Sequence, residues 1–262
     1  MKNKKSLGQN WLKDRKTLEE IADLVADPSE DNLETPPNLC LEIGPGLGTL
    51  TSSLLKRFKK VIAIELDDQL AENLPKSFPG KNLVVEHADI LNYDFKTLKE
   101  PFVVAGNIPY YITTPIIKKL LSLENKPEKI VLLVQKEVAE KITSKTASSS
   151  LSLFIDNLAK SSPGPVVKRD LFTPPPKVDS QILVLEPYKS PLFSDNSDLF
   201  DFIQICFSSP RKKLSANLAA SGLASKKEVE NIFASLGISP NARPSDLDLK
   251  KYVMLAKTLK KR

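Results

Sequence analysis

The 262-residue chain contains one histidine, His87, and two cysteines, Cys40 and Cys206. Two thiols are too few for a disulfide scaffold or a thiolate zinc site; they are expected to be free and to pack as small apolar groups. A single imidazole argues against His-rich metal centres and Ser-His-Asp triads, so the chemistry must run largely without histidine and no metal is expected. Long hydrophobic runs are also missing. The longest, Ile130 to Val134, has five residues, where a membrane helix needs roughly 18. No apolar segment follows the basic N-terminus, so neither a secretory signal nor a membrane span is expected, and the location expected is cytoplasmic.

What is present is a globular composition, 41% hydrophobic and 27% charged with a formal net charge of +6. The length suits one large domain, or a large one with a small appendage. The charge is unevenly spread. Residues 1–16 carry six basic groups against one acidic, residues 17–167 carry 16 against 21, and residues 168–262 carry 16 against 10. An acidic body with two basic ends suits a polyanionic partner, most simply nucleic acid.

Apolar runs at 39–43, 61–64, 83–86, 102–105, 130–134 and 181–186 read as strands. Helical patterns at 49–58, 69–76, 115–122 and 136–143 alternate with the first five, which predicts an open, doubly wound α/β sheet with ligand sites at the strands' carboxyl ends. A helix is expected before the sheet at 15–26, and a mobile loop in the serine-rich stretch 144–152. After a Pro- and Ser-rich linker at 187–197, the remainder reads as helices at 198–208, 211–220, 226–236 and 245–259. The expected division is therefore 1–187 for the sheet domain and 188–262 for a small all-helical domain.

Directly after the first main strand stands Glu42-Ile43-Gly44-Pro45-Gly46-Leu47-Gly48-Thr49. Glycines there let the chain turn tightly and a ligand approach the backbone. A dinucleotide fingerprint would need its third glycine where Thr49 stands. The next strand ends at Glu65, which can accept from a ribose diol, and the third is followed by Asp89, which can accept from an adenine amino group. Together these point to an adenosyl ligand. The fourth strand ends in Asn107-Ile108-Pro109-Tyr110. Pro109 biases Ile108 toward an extended conformation, and its carbonyl with the Asn107 side-chain oxygen makes two acceptors for one amino group. Tyr110 offers a stacking face for an extruded base. Two acceptors on an exocyclic amine localise its lone pair, an effect felt mainly in the transition state.

With these motifs in place, the chain resembles the small-subunit (16S) ribosomal RNA adenine N6,N6-dimethyltransferases, a family of S-adenosylmethionine enzymes with a Rossmann-like sheet. The resemblance runs through Leu7 to Leu12, Glu42 to Thr51, Ile64 to Asp67, Asn107 to Tyr110, Gln135 to Val138, Phe172 to Ser180, Arg211 to Leu214 with Asn217, and Arg243-Pro244. It implies that Asn10, Leu12, Gly44, Gly46, Glu65, Asp89 and Asn107 line an S-adenosylmethionine pocket, and that Asn107, Ile108, Pro109 and Tyr110 handle the target base. It further implies dimethylation of two adjacent adenosines in a hairpin loop near the 3′ end of small-subunit rRNA, on immature small subunits, by a monomer. Lys4 and Lys5 with Arg211, Lys212 and Lys213 are the expected rRNA contacts. Departures from the family pattern are Tyr111 where Asn is common, Ser148–Ser152 in place of a Tyr-Gly-x-Leu-Ser, and Pro210 before the basic cluster. The alternatives are a large-subunit rRNA adenine methyltransferase of the macrolide-resistance type and a non-catalytic rRNA-binding assembly factor.

Overall fold

The computed structural model describes residues 8–27, 38–193 and 196–260. A two-residue strand β1 (Trp11–Leu12) leads into helix α1 (Arg15–Ala26), followed by β2 (Leu39–Ile43), α2 (Thr49–Leu54), β3 (Lys60–Glu65) and α3 (Asp68–Asn73). Next come β4 (Leu83–His87), β5 (Phe102–Asn107), α4 (Thr113–Leu121), β6 (Ile130–Gln135) and α5 (Lys136–Thr143). Helix α6 (Ser150–Leu158), β7 (Ala159–Val167), β8 (Phe172–Thr173) and β9 (Ser180–Pro187) follow, and α7 (Asn196–Cys206), α8 (Leu214–Ala220), α9 (Lys226–Ser235) and α10 (Leu249–Lys260) complete the order.

Seven strands form one sheet in the order β4-β3-β2-β5-β6-β9-β7. From β4 to β6 all neighbours are parallel, and β9 returns antiparallel to β6, pairing Ser180 with Gln135 and Leu185 with Ile130. The central strands read as unbroken apolar runs because both their faces are covered. On one face Cys40, Val61, Val103, Ala105, Val131 and Leu133 pack with Leu18, Ile21, Ala22 and Val25 of α1 and Leu50 and Leu54 of α2. Asp14 starts α1, accepting from the Thr17 amide at 2.8 Å, as an N-cap should. Helix α3 packs on β3 and β4. Chain order reverses between β2 and β5, which opens a crevice at their carboxyl ends.

The described residues divide into two compact units, one of residues up to Ala139 with Ser161–Pro187, the other of Glu140–Lys160 with residues from Tyr188 onward. The second is helical, with Leu153, Phe202, Ile203, Leu214, Leu218, Phe233 and Tyr252 in its core. The buried Tyr252 hydroxyl donates to the Pro244 carbonyl at 2.8 Å, and Asn217 Nδ2 donates to the carbonyls of Cys206 and Ser209. One edge of the division coincides with the boundary expected after residue 187. Glu140–Lys160 groups with the helical unit because α6 buries Leu153 in that unit's core.

Several expectations are corrected. The stretch 144–152 is not loop throughout: Ser149 and Ser152 form a reciprocal capping box that starts α6, so serines that read as low complexity act as a helix start. Helix α8 begins at Leu214, not 211. Lys213 is extended, with ψ 141°, and the preceding cations stay outside a helix end that repels them. Helix α10 begins at Leu249, after a separate 3-10 turn at Pro244–Asp246. Strand β7 was not expected, because Ala159–Val167 carries two prolines and a glycine. Proline is tolerated at a sheet edge, and a Cβ on Gly164 would lie 2.9 Å from Ile182 Cβ, so the close approach of β9 requires glycine.

Candidate active site

Where β2 ends, Gly44, Gly46 and Gly48 all have left-handed φ, +66°, +56° and +79°, and the chain reverses at once into α2. A Cβ on Gly48 would meet Leu74 Cδ1 at 2.6 Å and Phe78 Cε2 at 2.8 Å, and one on Gly46 would meet the Trp11 indole at 3.2 Å. A side chain at either position would push these neighbours aside as well as strain the backbone. Gly44 differs: a Cβ there would find only the Asn107 carbonyl, at 3.9 Å. Its bare side opens on the pocket, where a ligand can lie against the backbone.

Glu65 closes β3 with its carboxylate over this turn, accepting from the Gly46 amide at 3.0 Å and the Asp67 amide at 2.9 Å. Burial raises its pKa, and the two amides oppose that rise. Glu42, on β2, is 1% exposed and accepts from Thr51 Oγ1 at 2.6 Å. Burial pushes its pKa up to about 8, with the Glu65 charge adding to the rise. Desolvation thus shifts Glu42 toward its neutral form. Asp67 caps α3 through the Gln69 and Leu70 amides. Asp89, past the end of β4, accepts from the Leu91 amide and Asn92 Nδ2.

At the end of β5, Asn107 Nδ2 donates to the Asn10 carbonyl at 3.0 Å. With its NH2 group engaged there, Oδ1 is the atom left to accept. The Tyr110 hydroxyl lies 2.7 Å from Ser180 Oγ, and burial raises its pKa, so it stays protonated and the ring is tethered to β9. Tyr111 is 62% exposed, its ring lying over Gly8.

Asn10, Gly44, Gly46, Glu65, Asp89, Asn107, Ile108, Pro109 and Tyr110 all line one pocket. Leu12 does not. Its side chain is 1% exposed, in the core with Leu18 and Phe172, because strand alternation gives Trp11 the pocket side and Leu12 the core side. Arg211, Lys212 and Lys213 are exposed on the helical unit. Lys4 and Lys5 lie outside the described residues. Sequence reasoning gave no role to Gln9, Trp11 and Glu42, which also line the pocket, nor to Ser180. Trp11, the sole tryptophan, stands beside a polar Gln-Asn pair, a usable signal. Ser180 gave none, since its meeting with Tyr110 depends on the β6–β9 pairing.

A glycine turn without the diphosphate spacing, with a carboxylate bonded over it, suits a nucleoside ligand lacking a diphosphate. The amide oxygen at its edge calls for an amine acceptor. This is the logic of an S-adenosylmethionine-dependent methyltransferase, and the residues fit that cofactor. The sequence profile of ribosomal RNA adenine dimethylase matches residues 1–261. The chain is 37% identical to the ribosomal RNA small subunit methyltransferase A of Mesomycoplasma hyopneumoniae (strain 232), over 97% of this chain and 95% of that one. It is 35% identical to the protein of the same name from Geobacillus kaustophilus (strain HTA426), over 98% and 90%. Among solved structures, a dimethyladenosine transferase from Plasmodium falciparum superposes with a TM-score of 0.78 at 28% identity, covering 95% of this chain and 97% of that one. The 23S rRNA methyltransferase ErmE gives 0.74 at 29%, covering 95% and 99%. The chain belongs to the ribosomal RNA adenine dimethylase family. Among the described residues, no helix is long and apolar enough to cross a membrane.

Proposed function

We propose that this protein transfers two methyl groups in turn to N6 of each of two adjacent adenosines in a hairpin loop near the 3′ end of small-subunit rRNA, acting as a monomer on immature small subunits in the cytoplasm. The carrying observation is the Asn107 amide, oriented by the Asn10 carbonyl at 3.0 Å so that Oδ1 is its acceptor. The names of the near-full-length relatives favour the small subunit.

Glu65 would take the ribose hydroxyls and Asp89 the adenine amino group, with Asn10, Gly44 and Gly46 against the remainder of the cofactor. S-adenosylmethionine, when bound, supplies a sulfonium methyl whose transfer leaves a neutral thioether, so no general acid is needed. Asn107 Oδ1 and the Ile108 carbonyl accept the N6 hydrogens of the target adenine, which localises the nitrogen lone pair in the transition state. Tyr110, tethered to Ser180, gives the base a stacking face worth about 1–3 kcal/mol. The base must be extruded to reach it. The alkylated nitrogen is acidic enough to lose its proton to water, which suits a site without histidine. The helical unit, with Arg211, Lys212 and Lys213, and the N-terminal Lys4 and Lys5 hold rRNA phosphates.

The test supplies the protein and isotopically labelled S-adenosylmethionine with immature small subunits or with naked large-subunit rRNA. Label should accumulate as N6,N6-dimethyladenosine in the small-subunit RNA. Strong preference for the large-subunit RNA would reassign the substrate, and RNA binding without transfer would make the protein an assembly factor.

A further inference from the structure

No residue of the segment between β7 and β9 lines the pocket itself, but the segment is an outer rim bonded to two parts of the chain that do. On one side it is joined to the pocket-lining N-terminal segment: Trp11 pairs with Thr173, Leu12 with Phe172, and the Lys13 amide donates to the Leu171 carbonyl at 3.1 Å. On the other side it ends at Ser180, which holds the Tyr110 hydroxyl and pairs with Gln135, the last residue of β6. The segment therefore lies at the carboxyl end of the parallel strands, beside the ring assigned to the target base.

Lys168, Arg169 and Lys177 on this segment are all exposed. Lys168 Nζ is taken by Asp179 at 2.9 Å, and Asp179 also accepts from the Arg169 amide at 3.0 Å. These contacts, together with the charge of Arg169, hold the Asp179 carboxyl below its ordinary pKa. The Arg169 guanidinium itself donates to a neutral acceptor, the Lys177 carbonyl, at 3.3 Å. Among the described residues it makes no ion pair, and neither does the Lys177 ammonium or the adjacent exposed Asp170. Two exposed cations without a bonded counter-ion thus sit on residues that the Arg169–Lys177 backbone contact holds together, on a loop where Lys168 occupies Asp179 and only Asp170 is left as an unpaired acid. A guanidinium fork and an ammonium on one loop suit phosphate oxygens.

We propose that this rim grips the phosphates flanking the extruded adenosine, with Arg169 and Lys177 as the contacts and Asp179 as the anchor of the loop that presents them. This deepens the reading of rRNA as substrate, on which it rests, and places an RNA-binding surface on the sheet unit itself.

The test compares Arg169→Gln/Lys177→Gln with Lys59→Gln/Lys81→Gln. The second pair removes the same charge from exposed residues preceding β3 and β4, at the opposite end of the strands. Binding to a small-subunit rRNA hairpin is titrated against salt, and methyl transfer is measured against RNA concentration. Each phosphate contact contributes roughly 0.7–0.9 to the slope of log K against log salt. The rim pair should flatten that slope by roughly 1.5 and raise the KM for RNA about tenfold, with kcat at saturation and S-adenosylmethionine affinity unchanged. The opposite pair should do neither. The single variant Lys177→Gln, which leaves the Arg169 contact to the backbone in place, should show about half the slope change. Unchanged slopes for the rim variants, or equal effects from the two pairs, would overturn the proposal. If the wild-type chain binds the hairpin without methylating it, the salt titration still judges the rim, and only the reading of the reaction fails.

Discussion

Asn107 and Glu42 show how position alone sets the chemistry of single side chains in this pocket. Asn107 is oriented by a backbone carbonyl 97 residues away in sequence, so an amide that could present either end offers its oxygen. Its part in the pocket was legible from the Asn-Ile-Pro-Tyr pattern, but the Asn10 tether was not, because nothing local marks so distant a contact. Burial favours the neutral form of Glu42, pushing its pKa up to about 8 from an ordinary carboxyl value of 4.5. Since the folded state holds this proton more tightly than the unfolded chain, Glu42 contributes stability that is full below about pH 4.5 and is lost as pH rises to about 8. Glu42→Gln keeps an acceptor for Thr51 without a charge to bury. Its melting temperature should gain on the wild type steadily between those pH values, with the largest advantage near pH 8. Parallel melting curves across that range would show that Glu42 is not held neutral.

Among the elements, the glycine turn divides its labour by position. At Gly48 a methyl group would force the Leu74 and Phe78 side chains, inside 3 Å, to shift, and positive φ adds strain of about 1 kcal/mol. At Gly44 the strain is similar but the space is open. Gly48→Ala should therefore lower stability by about 2–4 kcal/mol in denaturant unfolding. Gly44→Ala should cost about 1 kcal/mol yet weaken S-adenosylmethionine binding at least tenfold by calorimetry. The reverse pattern would mean that the ligand does not lie against Gly44. The six main apolar strands and the turn were legible because their periodicity and spacing are local. Strand β7 and helix α6 were not. The proline and glycine of β7 suit a sheet edge that only the assembled sheet defines, and the capping serines of α6 look like a polar loop until the helix they start is seen.

At the scale of the whole chain, charge and fold describe one arrangement. The acidic middle of the sequence holds the cofactor pocket, where Glu65 and Asp89 meet and a cationic sulfonium would be welcome. Exposed basic clusters stand on the helical unit at Arg211, Lys212 and Lys213 and on the sheet unit at Arg169 and Lys177. The split of charge by sequence segment put Arg169 and Lys177 in the same basic stretch as Arg211, Lys212 and Lys213; that the two groups lie on different units shows only in the fold. The leucine pair of β1 and α1 taught the converse lesson. Leu12 stands in a family motif next to pocket residues, yet strand alternation turns it into the core beside Leu18.

The central claim is that the Asn107 oxygen activates an adenine amine of small-subunit rRNA. It is tested most directly by mass spectrometry of that RNA after incubation with labelled S-adenosylmethionine and either wild-type protein or Asn107→Ala. The wild type should yield N6,N6-dimethyladenosine at two adjacent positions. Asn107→Ala should lower the rate about 10²–10³-fold while still binding cofactor and RNA. Dimethylation by Asn107→Ala at the wild-type rate would contradict the account.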